Sequence, residues 1–552
     1  MLVREAIGRT LHDLGVRTVF GVVGSGNFHF TDALVRAGAR FVAARNEGGA
    51  SVMADAYSRM SDEVAVLSLH QGCGYTNALT GIGEAAKSRT PLLVVTAEAP
   101  EPTSNFFIDQ QAMAEALGAV ALRVRSPRTA LDDVTRAYEL CARERRTVVL
   151  NVPIDVQDEP LPEGARAVAR PAVGEPRPAA ADVAAFARLL RSARRPVFVA
   201  GRGARTSGGR EALIALAERS GALLATSAVA RGLFHDQEWS IDVSGGFSTP
   251  LAAELIAGAD LIVGWGCALN MWTMRHGRLI ADDATVVQVD LERTAIGRVR
   301  PVDLGLWGSV AETAADTLDT LAALGEERAT GYRTPATAAR IAAEGSWKQV
   351  PYQDESTGSG AGGGTIDPRT LTVELDRLLP AERVVSVDSG NFLGYPSMYL
   401  DVPDHYGFCF TQAFQSVGLG LSTAIGAALA QPGRLPVAAC GDGGFLMGIS
   451  ELETVVRLGL PMLVVVYNDS MYGAEVHHFG PEEPDLSTVT FPDTDIAAIA
   501  RGYGCEALTV RTPEDLGPLK AWLAEPGGRP LVIDAKTAST EGAWWLKEAF
   551  GH

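Results

Sequence analysis

The stretch from Gly441 to Asp469, GDGGFLMGISELETVVRLGLPMLVVVYND, constrains this chain more than any other. An apolar run, VAAC (437–440), leads into Gly-Asp-Gly. Ile449, Leu452, Val455, Val456 and Leu460 then recur at three- and four-residue spacing, the period of a helix with one apolar face. A second apolar run, MLVVVY (462–467), ends in Asn468-Asp469. The order strand, Gly-rich turn, helix, strand reads as one crossover of a parallel α/β sheet. Gly441, Gly443 and Gly444 let backbone N–H groups approach an anion at a helix N-terminus. Asp442 and Asp469 fall at the exits of two parallel strands, where such sheets bind ligands. Two hard oxygen ligands beside a phosphate cradle suit Mg²⁺ or Ca²⁺ bridging to a diphosphate.

The rest of the chain repeats this alternation. From residue 1 to about 160 the strands are TVFGVV (18–23), FVAA (41–44), VAVLSL (64–69), PLLVVTA (91–97) and TVVLNV (147–152), with helices expected over 3–14, 30–38, 49–60 and 128–143. A linker rich in Pro, Ala and Glu covers 161–182. A central unit over 183–345 holds RPVFVAG (195–201), ALLATSA (222–228), ADLIVGWG (259–266) and ATVVQVD (284–290). STGSGAGGG (356–364) closes a second linker, 346–364, and a third unit runs over 365–552 with VVSVDSGN (384–391), FCFTQAF (408–414) and PLVIDA (530–535) beside the two strands above. The expected fold is therefore three Rossmann-like, doubly wound parallel-sheet domains. A net charge of −18 argues against nucleic acid and anionic membranes as partners. No signal-peptide pattern opens the chain and no run of about 18 apolar residues occurs, so a soluble, cytoplasmic protein is expected. The six scattered cysteines, with no CxxC pair, read as reduced thiols rather than disulfides or a zinc site.

Gly-Asp-Gly, some two dozen residues and a terminal Asn-Asp resemble the motif of thiamine diphosphate (ThDP) enzymes, which ends in Asn-Asn. The three-domain layout resembles their decarboxylase and carboligase branch, with pyrimidine-binding, central and diphosphate-binding domains in that order. The resemblance implies ThDP and Mg²⁺ as cofactors, with Asp442, Asp469 and the carbonyl of Met471 as metal ligands. Asp469 departs from the family's amide and adds negative charge beside the diphosphate. Gly441, Gly443, Gly444, Asn391, Phe392 and Tyr472 would border the diphosphate. Val417, in Gln415-Ser416-Val417-Gly418, would prop the bent cofactor, and the carbonyl of Gln415 would accept from its 4′-amino group, where the family usually has Gly.

Glu47, in AARNEGGASVMADAYSR, matches the family's E-x-x-A-x-x-x-A-x-x-Y/F-A/S-R segment. Acidic residues also favour a first helical turn for electrostatic reasons alone. In the family this Glu shares a proton with the aminopyrimidine N1′, which prepares the cofactor to lose the proton at its thiazolium C2. His70, in LHQGCGYTN, is similar to the proton-transfer His of benzoylformate decarboxylase, and Ser25, in GVVGSGNF, to the Ser that meets the substrate carboxylate there. Glu475 lies where pyruvate decarboxylase carries an active-site Glu. His477 and His478 follow it; Phe106 and Phe107 suggest an aromatic lining to the substrate pocket. In the central unit no G-x-G-x-x-G precedes a helix in FAD-binding form, so FAD is not expected.

The resemblance implies decarboxylation of a 2-oxo acid followed by transfer of the acyl group to a second carbonyl, as in acetolactate synthases. The alternatives are simple decarboxylation, a non-catalytic ThDP-fold protein, or an oxidase that passes electrons to FAD. The family also implies a homodimer or homotetramer with active sites at the subunit interface.

Overall fold

The computed structural model describes residues 1–168, 174–325, 331–357, 363–525 and 527–546. Residues 169–173 and 358–362, within the two expected linkers, lie outside the described residues.

Three six-stranded sheets organise the chain. The first contains β1 (Thr18–Gly21), β2 (Arg40–Ala43), β3 (Ala65–Leu69), β4 (Leu92–Glu98), β5 (Val120–Arg123) and β6 (Val148–Pro153), in the order β2-β1-β3-β4-β6-β5. The second contains β7 (Pro196–Ala200), β8 (Leu223–Thr226), β9 (Ser240–Val243), β10 (Leu261–Trp265), β11 (Thr285–Asp290) and β12 (Leu304–Trp307), in the order β12-β11-β10-β7-β8-β9. The third contains β13 (Arg383–Val387), β14 (Phe408–Phe410), β15 (Leu435–Gly441), β16 (Leu463–Asn468), β17 (Glu506–Val510) and β18 (Leu531–Lys536), in the order β14-β13-β15-β16-β18-β17. Neighbouring strands pair in parallel throughout. Numbered within each domain, the first and third sheets have the same order, 2-1-3-4-6-5. The central sheet is wound differently.

Helices cover both faces of a parallel sheet, so its inner strands are continuous apolar runs that show plainly in sequence. Four strands were not anticipated: β5, β9, β12 and β17. All four are edge strands. Edges have one unpaired side and meet water, so β5 (VALR) and β17 (EALTV) mix apolar and polar residues and are only partly buried. The expected strand 408–414 stops at Phe410.

The outer domains meet through equivalent helices. Helix Glu47–Ser61 follows β2, and helix Gly420–Ala430 follows β14. They approach so closely that a Cβ on Gly426 would lie 2.2 Å from the Met53 carbonyl oxygen. Ala50, Met53 and Ala54 share one core with Leu421, Ala424, Ile425 and Ala428. At the end of this contact the buried Arg59 donates to Asp55 at 3.0 Å, to Glu84 at 2.8 Å and to the Phe410 carbonyl of the other domain at 2.9 Å. Burial raises the Asp55 carboxyl, and the Arg59 charge pulls it back down.

Arg59→Leu would leave two buried carboxylates without their cation. It is expected to destabilise the protein by about 3–5 kcal/mol, read as a lower denaturant midpoint or loss of soluble protein. Arg59→Lys, which keeps the charge but not the fork, should cost less.

Candidate active site

β15 passes through Gly441 straight into helix Asp442–Gly448, so the expected turn between them is absent. The expected single helix is also divided, with a 3₁₀ turn at Ile449–Glu451 before helix Leu452–Arg457. Glycine is required at 443 and 444 by close approach. A Cβ on Gly443 would lie 2.6 Å from the Tyr472 ring, and one on Gly444 would lie 2.4 Å from Asp388 Oδ2.

Asp388 fastens the adjoining loops. Its buried carboxylate accepts from the N–H groups of Ser389 (2.8 Å), Gly418 (3.0 Å) and Leu419 (3.1 Å). Burial pushes its pKa up to about 6 against the pull of those N–H groups. The pinned loop carries Val417, which projects beside Gly444 with 40% of its surface exposed. It also carries Gln415 at φ +59°, a left-handed conformation for a residue with a Cβ. Asn391 Oδ1 accepts from Ala543 N at 3.1 Å, which seats the C-terminal segment against this site. Phe392 stacks on Tyr467 at 5.2 Å and borders Gly441.

Asp442 and Asp469 stand together. Burial, then the Asp469 charge, pushes Asp442 up to about 7. Burial pushes Asp469 up to about 6, opposed by hydrogen bonds from Ser539 and the Met471 N–H. Two neighbouring carboxylates, one buried and one half-buried, both raised by loss of solvent, suit a divalent cation between them. No group of three or more His, Cys, Asp or Glu side chains that could hold a metal occurs among the described residues. A metal here would need main-chain oxygen as well, the role expected of Met471. With the glycine-lined start of a helix beside the pair, the residues fit a Mg²⁺-bound diphosphate.

These groups open into a cleft of about 2340 Å³, bordered by all three domains. Asn391, Phe392, Gln415, Val417, Gly441–Gly444, Asp469, Met471, Tyr472 and Glu475 line it. His477 lies behind, with Nε2 2.9 Å from Ser539 Oγ. His478 packs on Phe479 at 4.6 Å.

Glu47, His70 and Ser25 do not line that cleft. They form a second cluster at the strand exits of the first sheet. Glu47 opens its helix just after Asn46, whose side chain accepts from Gly48 N at 2.8 Å and caps it. Asn77 Nδ2 donates to Glu47 Oε2 at 3.0 Å, which leaves Oε1 turned toward Gly74. His70 Nδ1 lies 2.8 Å from the Gln71 carbonyl, which can only accept, so the proton sits on Nδ1. Its Nε2 then faces Ser25 Oγ at 3.4 Å. Phe106 packs edge-on against His70 at 5.0 Å, and both Phe106 and Phe107 are exposed. The structure thus gathers the expected residues into two clusters, one in each outer domain. Sequence reading assigned no role to Asn77 or to the loop-fastening carboxylate of Asp388. Asn77 closes the L-H-x-x-x-G-x-x-N segment that includes His70, and that was the signal available for it.

Comparison with known proteins identifies the family to which this three-domain fold belongs. The family described as thiamine pyrophosphate enzyme matches with its N-terminal TPP binding domain over residues 1–121, its central domain over 183–318 and its C-terminal TPP binding domain over 388–535. A protein named as a probable 2-ketoarginine decarboxylase, from Pseudomonas aeruginosa, is 30% identical over 94% of this chain and 90% of its own. The chain belongs to the thiamine pyrophosphate enzyme family. It is also 29% identical to a sulfoacetaldehyde acetyltransferase of Rhodobacter capsulatus, over 97% of this chain and 94% of the relative. To the acetolactate synthase large subunit of Parasynechococcus marenigrum it is 27% identical, over 96% and 86%. The chain is thus a ThDP-dependent enzyme with three Rossmann-like α/β domains. No helix among the described residues is long and apolar enough to cross a membrane.

The left-handed Gln415 yields a direct test. Gln415→Gly is expected to hold the thermal midpoint within a few degrees, because relief of about 1–2 kcal/mol of strain is offset by glycine's freedom in the unfolded chain. Gln415→Val, β-branched at positive φ, should lower the midpoint clearly. Thermal unfolding of the cofactor-free protein reads both.

Proposed function

We propose that this cytoplasmic enzyme decarboxylates a 2-oxo acid and transfers the acyl group to a second carbonyl compound. The relatives named for acyl transfer carry this reading: the sulfoacetaldehyde acetyltransferase and the acetolactate synthase large subunit match over nearly the whole chain. Bound ThDP would supply the electron sink that loss of CO₂ from a 2-oxo acid requires.

The chain's own residues do the rest. Asp442, Asp469 and the Met471 carbonyl hold Mg²⁺; Asn391, Phe392, Tyr472 and the 441–444 backbone border the diphosphate. Val417 would pack against the bound cofactor, and the Gln415 carbonyl would accept from its amino group. Glu47 would share a proton with the aminopyrimidine, while Asn77 holds Oε2. Ser25 orients the substrate carboxylate, and His70 takes protons at Nε2. Glu475, exposed on the cleft wall, moves protons after CO₂ has left. The Ser25–His70 contact favours a second reading, in which protonation ends the reaction and an aldehyde is released.

A second copy of the chain completes the site in this reading. One chain's Glu47 cluster would face the other's Asp442 cradle, in a homodimer or a homotetramer built from such dimers. Each half-site is ringed by exposed apolar side chains, Val23, Phe28, Phe106 and Phe107 at one and Phe414, Val417, Leu446 and Met447 at the other. Mutual cover would remove both patches from water.

Incubation with ThDP, Mg²⁺, a panel of 2-oxo acids and aldehyde acceptors, followed by mass spectrometry, should yield a hydroxyketone. Aldehyde alone would establish the second reading. Glu47→Gln should slow C2–H exchange of bound ThDP by about 10²–10⁴, measured by quenched NMR. Asp442→Ala should abolish Mg²⁺-dependent ThDP binding in calorimetry, whereas Asp469→Asn, which restores the family's amide, should keep it. Refolding Glu47→Gln together with Asp442→Ala should restore about a quarter of wild-type activity, because random pairing gives mixed dimers with one intact site. Demonstrable mixed dimers without activity would place both residues in the same chain's site.

A further inference from the structure

The two outer domains make the same pair of contacts with each other, once in each direction. Glu84 stands on the helix after β3, the third strand of its domain. Its carboxylate accepts from Ala413 N at 2.9 Å and from Phe414 N at 2.6 Å. These residues follow β14, the second strand of the other domain. Glu451 stands after β15, the third strand of that domain. Its Oε1 accepts from Arg45 N and from Asn46 N, both at 3.0 Å. Arg45 and Asn46 follow β2, the second strand of the first domain. Shared strand order thus places an approximate two-fold axis between the domains, and each carboxylate has its counterpart across it.

Both carboxylates are buried, with 0% of Glu84 and 1% of Glu451 exposed. A buried carboxylate is costly unless hydrogen-bonded, and so is a buried main-chain N–H. Each clasp satisfies both. Further donors hold the acids in place: Arg59 on Glu84 at 2.8 Å, and the Thr454 hydroxyl on Glu451 at 2.7 Å.

What the clasped loops carry gives the contacts their meaning. Asn46 caps the helix that begins with Glu47. Phe414 immediately precedes Gln415, and Val417 follows on the same loop. We propose that Glu84 and Glu451 are positioning residues for cofactor activation. Glu451 sets the loop that presents Glu47, and Glu84 sets the loop that presents Gln415 and Val417. This rests on the cofactor roles given to those three residues under the proposed function. When each Glu47 serves the partner's cradle, Glu451 ties the diphosphate helix of one active site to the acid of the other.

Glutamine at either position keeps the length but turns an N–H-bearing group toward N–H donors. Hydrogen–deuterium exchange of the full-length, cofactor-free protein tests the clasps themselves. Glu451→Gln should speed exchange at Arg45–Asn46 by at least about tenfold and leave Ala413–Phe414 unchanged; Glu84→Gln should do the reverse. With Mg²⁺ and ThDP, each variant should lose about tenfold or more in kcat, while calorimetric ThDP affinity changes less than kcat, because Asp442, Asp469 and the 441–444 backbone are untouched. Thr454→Val, which removes one donor to Glu451, is the milder variant and should shift the same amides less. Unchanged exchange at the clasped loops overturns the clasps. Altered exchange with wild-type kcat overturns the positioning role. Unimpaired turnover by Glu47→Gln, measured alongside, would overturn the cofactor assignment instead.

Discussion

Two helices that no methyl group could separate set the frame of this molecule. The backbone of Gly426 lies against that of Met53, and small residues along both helices allow the approach. Side chains cannot absorb an error at such a contact, because its closest atoms are main chain. Everything polar at its margins must therefore be satisfied across the domain boundary. Arg59 reaches the Phe410 carbonyl, Gln431 reaches the Met60 carbonyl, and Glu84 and Glu451 take up the free N–H groups of opposing loops. The packing fixes a geometry, and the buried charges make alternatives expensive.

That frame explains why so much chemistry lies at strand exits. In a parallel sheet the loops after the strands emerge at one end, where helices begin with unsatisfied N–H groups. The C-terminal domain brings Asp442 and Asp469 together at this end, both raised in proton affinity by burial. The N-terminal domain, with the same strand order, turns it into an acid and a histidine held by neutral hydrogen bonds. One architecture thus carries two different sets of side chains at its strand exits.

The inner strands were legible in the sequence because burial on both faces leaves an unbroken apolar record, as in AVLSL (65–69) and LVVVYN (463–468). The edge strands at 120–123, 240–243, 304–307 and 506–510 were not, because each is only four or five residues long and partly exposed, too short for a period to stand out. The cradle was legible because one stretch holds both carboxylates and the glycines. Glu47 and His70 were legible only through segments that resemble a known family. Asn77 lies in the same segment as His70, whereas Glu84 carried no comparable signal. The main-chain partners of Glu84 lie more than three hundred positions away, and a lone Glu in a helix reads as solvated.

The contact between the outer domains also has a consequence for the chain's birth. The helix that begins at Glu47 leaves the ribosome long before its partner at 420–430 has been made. At about 5–20 residues per second, the interval is on the order of tens of seconds. Throughout it the Ala50–Met60 face, with Arg59 drawn down beside Asp55 and Glu84, has no opposing surface. The first domain can wind its sheet at once, but the face it was shaped to bury stays open until nearly the whole polypeptide exists. Nascent chains of this enzyme therefore pass through a long window in which aggregation competes with folding, and the cell's holding chaperones have a defined surface to guard.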